Sequence, residues 1–429
     1  MRYLSVLLAV IAIGCSVTAQ PASAIRNAEI IIRHAHIITM QDSTLLADYM
    51  VCLRNGRISY MGKDKARKLK ATKATVIDAA GQYLLPGLAE MHAHLPPQHE
   101  LKQYFALNLA AGVTTIRSMR GKDEHIAYKH ITQYPVPDLY LGSPVTTHLI
   151  DLVPERADSL VSAWKNTGFD FIKVVGIKDG NAYNNLVAAA AKHGIKLCGH
   201  VPSKVGLDNI LDTVFNCVEH LQGYVEAYKT GQPYLDSMLA VTKNNNVSQC
   251  PTLDWYRVYY LQLPEEELKK RIGLEYVHDS VLAQWHDDIS GRIAKMSDSA
   301  LNAFRNNYTE TQEIKLEIVR QMHKKGINIM TGADGGDTYM VPGFNILEEM
   351  DLLKQAGLSN YEVLCCATKN VASYMNIPGR SGTIEAGKEV NMILVPQNPL
   401  HHLHALANVS QVFLHDKNYT QEQLLQLAK

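Results

Sequence analysis

The sequence lacks an excess of charge of either sign, a pair of cysteines at metal-binding spacing and, after its first residues, any long apolar run. Lysine plus arginine and aspartate plus glutamate both number 42, so no net field would attract nucleic acid or an anionic membrane. None of the seven cysteines forms a C-x-x-C pair, which disfavours a thiolate zinc site. A membrane-spanning helix needs about 20 apolar residues, and no later segment supplies them. These absences favour a protein that acts on a small molecule, without nucleic acid and without a membrane span.

The first 24 residues have the pattern of an export signal. Arg2 supplies a positive charge, residues 4–13 are apolar, and small residues follow as far as Ala24. About ten apolar residues are too few to cross a bilayer as a helix, so we expect cleavage. The alternative is a lipoprotein signal with a lipid anchor on Cys15. Both interpretations place the mature protein outside the cytoplasm, as a periplasmic, secreted or membrane-anchored protein.

β-rich segments lie at both ends of the chain. They occur at 28–39, 49–61 and 75–78 near the N-terminus, and at 382–384, 390–395 and 409–415 near the C-terminus. Asn55-Gly56 interrupts the second segment and is a strong signal for a tight hairpin turn. We predict that residues 25–84 and 376–429 join in one small β-sandwich domain, with the middle of the chain inserted between them.

Residues 85–375 alternate apolar strand candidates with helical stretches. The strand candidates are 84–94, 113–119, 139–146, 169–175, 195–201, 216–222, 247–253 and 327–333. Helical stretches fall between most of them, for example at 101–111, 185–193 and 310–325. Such βα alternation predicts an α/β fold, a closed (β/α)8 TIM barrel.

One connection, residues 254–310, is much longer than the others. It contains Trp255 and the tyrosines Tyr256, Tyr259 and Tyr260. A long loop at the catalytic end of a barrel usually covers the active site, and we expect that role here. A peripheral decoration of the fold is the alternative.

His92 and His94 end an apolar run that begins at Tyr83. Residues two apart on a strand point to the same face. Both imidazoles would therefore leave the end of one buried strand side by side, as two ligands of one metal ion do. Taken alone, the pair is equally compatible with two surface histidines on a strand edge.

Further residues of metal-ligand type occur at the ends of other predicted strands. They are Lys173, His200, His220 and Asp334. Each has a simpler explanation by itself: a core histidine, an aspartate in a turn, or a lysine whose stem reaches solvent. The carboxyl ends of barrel strands share one mouth, so the coincidence of all of them there favours a metal site.

The order of these motifs resembles the amidohydrolase superfamily, and within it the metal-dependent enzymes related to imidazolonepropionase-like and prolidase-like hydrolases. The segments that carry the resemblance are LPGLAEMHAH (85–94), AGVTTIR (111–117), FDFIKV (169–174), GHVP (199–202), VEHL (218–221) and TGAD (331–334), with GTIEAGK (382–388) and NPL (398–400) near the C-terminus. The resemblance covers nearly all of the chain after the predicted signal.

The resemblance implies a site for two divalent metal ions. His92 and His94 would hold the more buried ion together with Asp334. His200 and His220 would hold the second ion. Zinc is the first choice, because imidazole and carboxylate ligands suit it, and manganese, cobalt and iron stay open.

The resemblance also implies that Lys173 bridges both ions after its amine takes up CO2 to form a carbamate. The physical chemistry agrees, because carbamylation turns a costly buried ammonium into a carboxylate-like ligand.

The implied reaction is hydrolysis of an amide bond. Two metal ions would lower the pKa of a shared water, and Asp334 would take up its proton and pass it to the leaving nitrogen. The substrate would be a small N-acyl amino acid, a dipeptide or a cyclic amide. Arg117, Tyr224 and Tyr228 are candidates for contacts with its carboxylate or carbonyl groups.

Two other functions stay open. One is a mononuclear deaminase or an imidazolonepropionase-type ring opener. Deaminases of the superfamily usually place a glutamate three residues after the histidine of strand five, whereas Ser203 stands there. The other is an exported binding protein without turnover, because Leu347 stands where many relatives have a histidine. Substrate identity and oligomeric state are not determined by the sequence.

Overall fold

The computed structural model of the protein describes residues 21–64, 69, 72–148, 152–211, 214–336 and 338–429. The strands are β1 Ile30–Ile38, β2 Leu45–Arg54, β3 Arg57–Lys63, β4 Thr75–Asp78, β5 Tyr83–Pro86, β6 Leu88–Ala93, β7 Val113–Ser118, β8 Asp138–Leu141, β9 Phe171–Val174, β10 Lys196–Gly199, β11 Phe215–Glu219, β12 Ser248–Cys250, β13 Asn391–Val395, β14 Gln411–Leu414 and β15 Lys417–Thr420. The helices are α1 Pro21–Asn27, α2 Leu101–Ala110, α3 His125–Tyr128, α4 Pro154–Thr167, α5 Gly180–His193, α6 Leu207–Ile210, α7 Tyr224–Thr230, α8 Gln232–Asn244, α9 Leu253–Tyr259, α10 Glu265–Leu268, α11 Asp279–Ala294, α12 Asp298–Lys324, α13 Ile346–Gln355, α14 Asn360–Cys366, α15 Lys369–Tyr374 and α16 Gln421–Leu427.

Residues 1–20 of the export signal predicted at 1–24, including the proposed lipid site at Cys15, lie outside the described residues. Residues 21–24 belong to α1. None of the helices given above combines the length and the apolar character that a membrane crossing requires.

Strands from both ends of the chain form one eight-stranded sheet. Its order is β15-β14-β13-β5-β1-β2-β3, with β4 paired to β1. β13 pairs with β5, so that Met392 lies opposite Pro86, and the prediction that both ends share a sheet is confirmed. The turn between β2 and β3 has positive φ angles at Asn55 (51°) and Gly56 (66°), as the predicted tight hairpin requires. The second layer of a sandwich stays a prediction.

The single strand predicted at 84–94 is in fact two strands that belong to different sheets. The chain changes sheet at Gly87, whose N–H donates to Asn391 O (2.9 Å) in the terminal sheet, whereas the residues that follow pair with β7. A Cβ atom at Gly87 would clash with the side chain of Thr114, so this crossing requires glycine.

The remaining strands pair in parallel. Their pairing gives the orders β6-β7-β8 and β9-β10-β11-β12. Isolated parallel bridges connect these sheets, namely Gly142 with Phe171, Gln249 with Ile329 and Ala93 with Gly335. The segment 327–335 therefore lies between β12 and β6, where the eighth strand is predicted. It forms bridges rather than a continuous ladder because two of its N–H groups have other acceptors: Thr331 donates to Cys366 O (3.1 Å), and Ala333 donates to the Glu90 carboxylate (3.0 Å).

The long connection 254–310 is mostly helical and contains α9, α10, α11 and the first turns of α12. α12 begins at Asp298 rather than near residue 310, because the side chain of Ser297 accepts a hydrogen bond from Ala300 N (3.2 Å) and caps the helix. The other two helices predicted as examples, at 101–111 and 185–193, lie within or close to the observed α2 and α5.

Candidate metal centre

Side chains with predicted metal contacts meet at the carboxyl ends of the parallel strands. Asp334 Oδ1 lies 2.9 Å from His94 Nε2 and 3.5 Å from His92 Nε2. Its other oxygen, Oδ2, lies 3.8 Å from His220 Nδ1. His220 Nε2 in turn lies 3.1 Å from His200 Nε2. The fold thus brings four histidines and an aspartate from distant parts of the sequence into one cluster.

The cluster has a buried part and an exposed rim. Ligand-type atoms of His92, His220 and Asp334 all lie within 4.8 Å of one another. His94, which the resemblance assigns to the first ion with His92 and Asp334, lies 2.9 Å from Asp334 and stands at the rim with 37% of its side chain exposed. His220, which the resemblance assigns to the second ion, is only 6% exposed. The division of these ligands between two ions stays a prediction.

His92 is oriented by a buried carboxylate. The ring is 1% exposed, and its Nδ1 lies 2.7 Å from Glu219 Oε2, which leaves Nε2 on the side of Asp334. Metal-binding histidines commonly donate their second ring N–H to a carboxylate in this way, which fixes the tautomer and raises the basicity of the ligand atom. Glu219 is part of the VEHL motif (218–221), but the sequence predicted no role for it.

His220 and Asp334 have a backbone conformation that non-glycine residues rarely adopt. Their φ angles are 64° and 54°. Such residues cost on the order of 1–3 kcal/mol each and occur often at functional sites. The surrounding structure holds both in place: His220 N donates to Cys250 O (2.9 Å), and Asp334 N donates to His92 O (2.9 Å). The strain aims both side chains at the centre of the cluster.

Lys173 on β9 carries a buried amine without a partner. The residue is 2% exposed, and its Nζ has no hydrogen-bond partner among the described residues. Burial lowers the pKa of the amine below its usual range, which favours the neutral form that reacts with CO2. Gly199, with a φ of 130°, makes room for the side chain, since a Cβ there would lie 3.0 Å from Lys173 Cδ. An unpartnered amine of this kind fits the predicted carbamate.

The ionisation states in the cluster suit metal binding. Burial and the nearby Lys173 lower the pKa of His200 to about 3, so its ring is neutral. Burial opposes ionisation of Asp334, but His92 and His94 outweigh it and lower the pKa of this carboxyl to about 2. Neutral imidazole and ionised carboxylate are the forms that coordinate metal ions. The residues present therefore fit divalent metal.

Glu90 joins the strand of His92 to the segment of Asp334. Its carboxylate is 3% exposed and accepts hydrogen bonds from His92 N (2.8 Å) and Ala333 N (3.0 Å). Burial raises the pKa of Glu90 to about 8. The structure gives this side chain a positioning role beside two predicted ligands, His92 and Asp334.

We expect Glu90→Ala to leave two buried N–H groups without acceptors. Each such group costs about 1–3 kcal/mol, so the free energy of unfolding should fall by about 2–6 kcal/mol. Metal affinity should fall about 10- to 100-fold because His92 and Asp334 lose their support. Denaturant unfolding and metal titration measure the two effects. Glu90→Gln keeps one acceptor oxygen and should lose less of both, whereas equal losses in the two variants would contradict this role.

The structure corrects the predicted role of Arg117. The guanidinium is fully buried, and each of its nitrogens has a protein acceptor: Nε donates to Met91 O (2.6 Å), Nη1 to the Tyr374 hydroxyl (2.8 Å) and Nη2 to Glu219 Oε1 (2.7 Å). We therefore interpret Arg117 as a positioning residue that holds Glu219 against His92. A contact with a substrate carboxylate is not available to it in this geometry.

The two tyrosines of α7 with predicted substrate contacts differ in burial, and the structure corrects the prediction for Tyr224 alone. Tyr224 is fully buried, and its hydroxyl lies 2.7 Å from Thr242 Oγ1 and accepts from Gln249 Nε2 (3.1 Å). It is a core residue, because α7 turns this face towards α8. Tyr228 is half-buried and packs against the main hydrophobic core. Leu347 is also part of that core, at 3% exposure.

A cavity of about 670 Å³ opens beside His94. Part of its wall comes from the long connection, with Tyr276, His278, Val281 and Trp285 among the lining residues. The prediction that residues 254–310 cover the site agrees with this wall. Tyr256 of the same connection also stands next to the cluster, with its ring centroid 5.9 Å from that of His220. The tyrosine run was noted in the sequence, but its contact with His220 was not predicted.

Comparison with known protein families matches residues 83–418 to the amidohydrolase family. The chain belongs to this family. Over 410 residues this amidohydrolase is 22% identical to an imidazolonepropionase of Sphingopyxis alaskensis, a match that covers 84% of this chain and 90% of that protein. It is also 32% identical over 88 residues to an adenine deaminase of Rubrobacter xylanophilus, a match that covers 20% of this chain and only 14% of that protein.

Solved structures share the fold of this amidohydrolase. Bottromycin amidohydrolase superposes with a TM-score of 0.71 at 20% identity, over 92% of this chain and 88% of that one. A Xaa-Pro dipeptidase with bound methionine in the active site gives 0.67 at 16% identity, over 91% and 99% of the two chains. The ochratoxinase of A. niger gives 0.68 at 16% identity, over 92% and 96%. At these identities the likeness establishes a shared mixed α/β fold.

Proposed function

We propose that this amidohydrolase is a two-metal hydrolase that cleaves the carbon–nitrogen bond of a small amide. The family and the shared fold support a hydrolase that acts on such bonds. One observation carries the proposal of two metals: the amine of Lys173 is buried and has no hydrogen-bond partner in the part of the chain that the structure describes, and it lies close enough to His200 and Asp334 to influence the pKa of both. A bridging carbamate gives this amine a function, and a core lysine without one would only destabilise the fold.

The proposed ligands are His92, His94, Lys173 as its carbamate, His200, His220 and Asp334. Bound divalent ions, with zinc as the first choice, supply Lewis acidity and lower the pKa of water towards neutrality. The protein supplies the orientation. Glu219 holds His92, and Glu90 connects the His92 strand to the Asp334 segment, so the ligand set is fixed before any ion binds.

Asp334 is the proposed proton carrier of the reaction. Its carboxyl is ionised at neutral pH, because the adjacent histidines hold its pKa at about 2. It can therefore accept a proton from the attacking water and pass that proton to the leaving nitrogen. The left-handed backbone at this position holds the carboxylate at the centre of the cluster.

We further propose that the ring of parallel strands is a (β/α)8 barrel and that the terminal sheet belongs to a small β-sandwich. The bridges that return from β12 to β6 support the closed barrel. In a barrel of this kind the active site lies at the carboxyl ends of the strands, which is where the histidine cluster lies. The export signal at residues 1–24 would place the enzyme in the periplasm or outside the cell.

The proposal is tested by metal counting together with a hydrolysis panel of N-acyl amino acids and dipeptides. We expect about two ions per chain and hydrolysis that chelation abolishes. Asp334→Asn should lower kcat at least about 10²-fold, since it removes a general acid–base group. Asp288→Asn, on the exposed face of α11, is the matched control and should leave kcat unchanged. Intact two-metal protein that hydrolyses no member of the panel would instead favour a binding protein without turnover.

A second candidate is the opening of a cyclic amide. The similarity to an imidazolonepropionase over 84% of this chain favours it. The same panel should therefore include small lactams and hydantoins. One metal per chain, together with ring opening that Lys173→Ala leaves unchanged, would favour a mononuclear ring opener over the two-metal enzyme.

A further inference from the structure

The cavity beside His94 has apolar walls and stands open next to the proposed metal centre. Leu95, Tyr104, Val281, Trp285 and Met340 are among the residues that line its volume of about 670 Å³. Cavities of this size bind small organic groups, and their walls usually set specificity. Its walls come from the α2 side and from the long connection, so they belong to the parts that vary most between members of one fold.

Neither lysine nor arginine is among the described residues that line the cavity, and its carboxylates and histidines are Glu90, Glu100, His94 and His278. Two buried basic residues lie outside this lining and have contacts of their own. Arg117 is bound to Glu219. Lys315 lies 3.1 Å from the ring centroid of Tyr256.

We propose that this cavity receives an uncharged, apolar part of the amide substrate, aromatic or branched aliphatic, and disfavours a free carboxylate on that part. The physical reason is that a carboxylate would lose its hydration among these walls without gaining a lysine or arginine partner, whereas an apolar group gains by leaving water. The inference rests on the proposed amide hydrolysis. It narrows the substrate class from dipeptides and N-acyl amino acids towards neutral amides.

Matched pairs of amides test which groups the cavity accepts. On the amine side, N-acetylphenethylamine and N-acetylphenylalanine differ only by the carboxylate. On the acyl side, N-phenylsuccinamic acid carries a carboxylate where butyranilide has a methyl group. We expect the zinc-loaded full chain to prefer the uncharged member of at least one pair by about tenfold or more in kcat/KM, the scale on which a pocket distinguishes such groups. Preference for the charged member in both pairs would overturn the inference.

Two variants place a cation in the cavity. Gln284→Lys on α11 and Gln103→Lys on α2 alter exposed lining residues, so both should fold. Either should reduce the preference for the uncharged member by several fold. Asn306→Lys, an exposed position on α12 outside the lining, makes the same change of charge and should leave the preference as it is. A preference that neither cavity variant alters would also count against the inference.

The test separates this inference from the proposed function. If the metal-loaded chain hydrolyses neither pair, the proposed activity on simple amides fails, and calorimetry with the same four compounds then tests the cavity alone. Tighter binding of the uncharged members supports the cavity assignment, and tighter binding of the carboxylates overturns it.

Discussion

Lys173→Ala is expected to reduce bound metal from about two ions per chain to one or fewer and to lower kcat/KM about 10³-fold, the equivalent of several kcal/mol of transition-state stabilisation. The reason is that the side chain is buried, has no hydrogen-bond partner among the described residues, and lies in the field of His200 and Asp334. Elemental analysis counts the ions. NMR of protein equilibrated with ¹³CO2 detects the carbamate carbon directly.

The control for this experiment is Lys196→Ala. Lys196 is exposed at the amino end of β10, whereas the histidine cluster lies at the carboxyl ends of the strands. Its substitution should change neither metal content nor rate. A short carboxylic acid such as propionate should partly restore Lys173→Ala, because it can fill the space and supply the lost carboxylate. Unchanged metal content and activity in Lys173→Ala would remove the bridged site from consideration, and an absent carbamate signal in active wild-type enzyme would do the same.

Arg117→Met is expected to lower the free energy of unfolding by about 3–5 kcal/mol, the usual cost of removing one partner from a buried ion pair. Arg117 and Glu219 are both fully buried and joined at 2.7 Å, so the substitution leaves Glu219 as a buried charge without its cation. Because Glu219 also holds His92, metal affinity should fall in parallel. Denaturant unfolding of the metal-free chain and metal titration measure these two quantities.

A double-mutant cycle separates the pair from its surroundings. Adding Glu219→Gln to Arg117→Met removes the buried unpaired charge and should recover part of the lost stability. The double variant should therefore lose less free energy of unfolding than the two single variants together. Arg380→Met is the matched control, since Arg380 pairs with Glu389 at the surface and should cost at most about 1 kcal/mol. If Arg117→Met costs no more than Arg380→Met, Arg117 is not the structural support inferred here.

The ligand types were predictable because their signal is local. His92 and His94 are two apart at the end of an apolar strand, and Asp334 follows a buried segment in a glycine-rich turn, so each could be found from a few neighbouring residues. The parallel topology then implies that strand ends meet. In the structure they do, with contacts of 2.9 Å for His94 and Asp334 and 3.1 Å for His200 and His220.

The roles of Arg117 and Tyr224 were not predictable in the same way. Arg117 lies near the carboxyl end of β7, much as His94 lies just after the end of β6, but its partners Glu219 and Tyr374 lie 102 and 257 positions further along the chain. Whether a polar side chain at a strand end reaches the mouth or a neighbouring strand depends on what those distant segments present. The spacing of residues around Arg117 carries no information about that.

Local sequence was enough to predict the α/β alternation, the sharing of one sheet by both ends of the chain, and the residue types available for a metal centre. These properties follow from periodicity and from motifs of a few residues, which depend on local backbone geometry. The folded chain was needed to show that Arg117 supports Glu219, and that no lysine or arginine is among the described residues lining the cavity beside His94. These are properties of space between distant segments, and packing of the whole chain sets them.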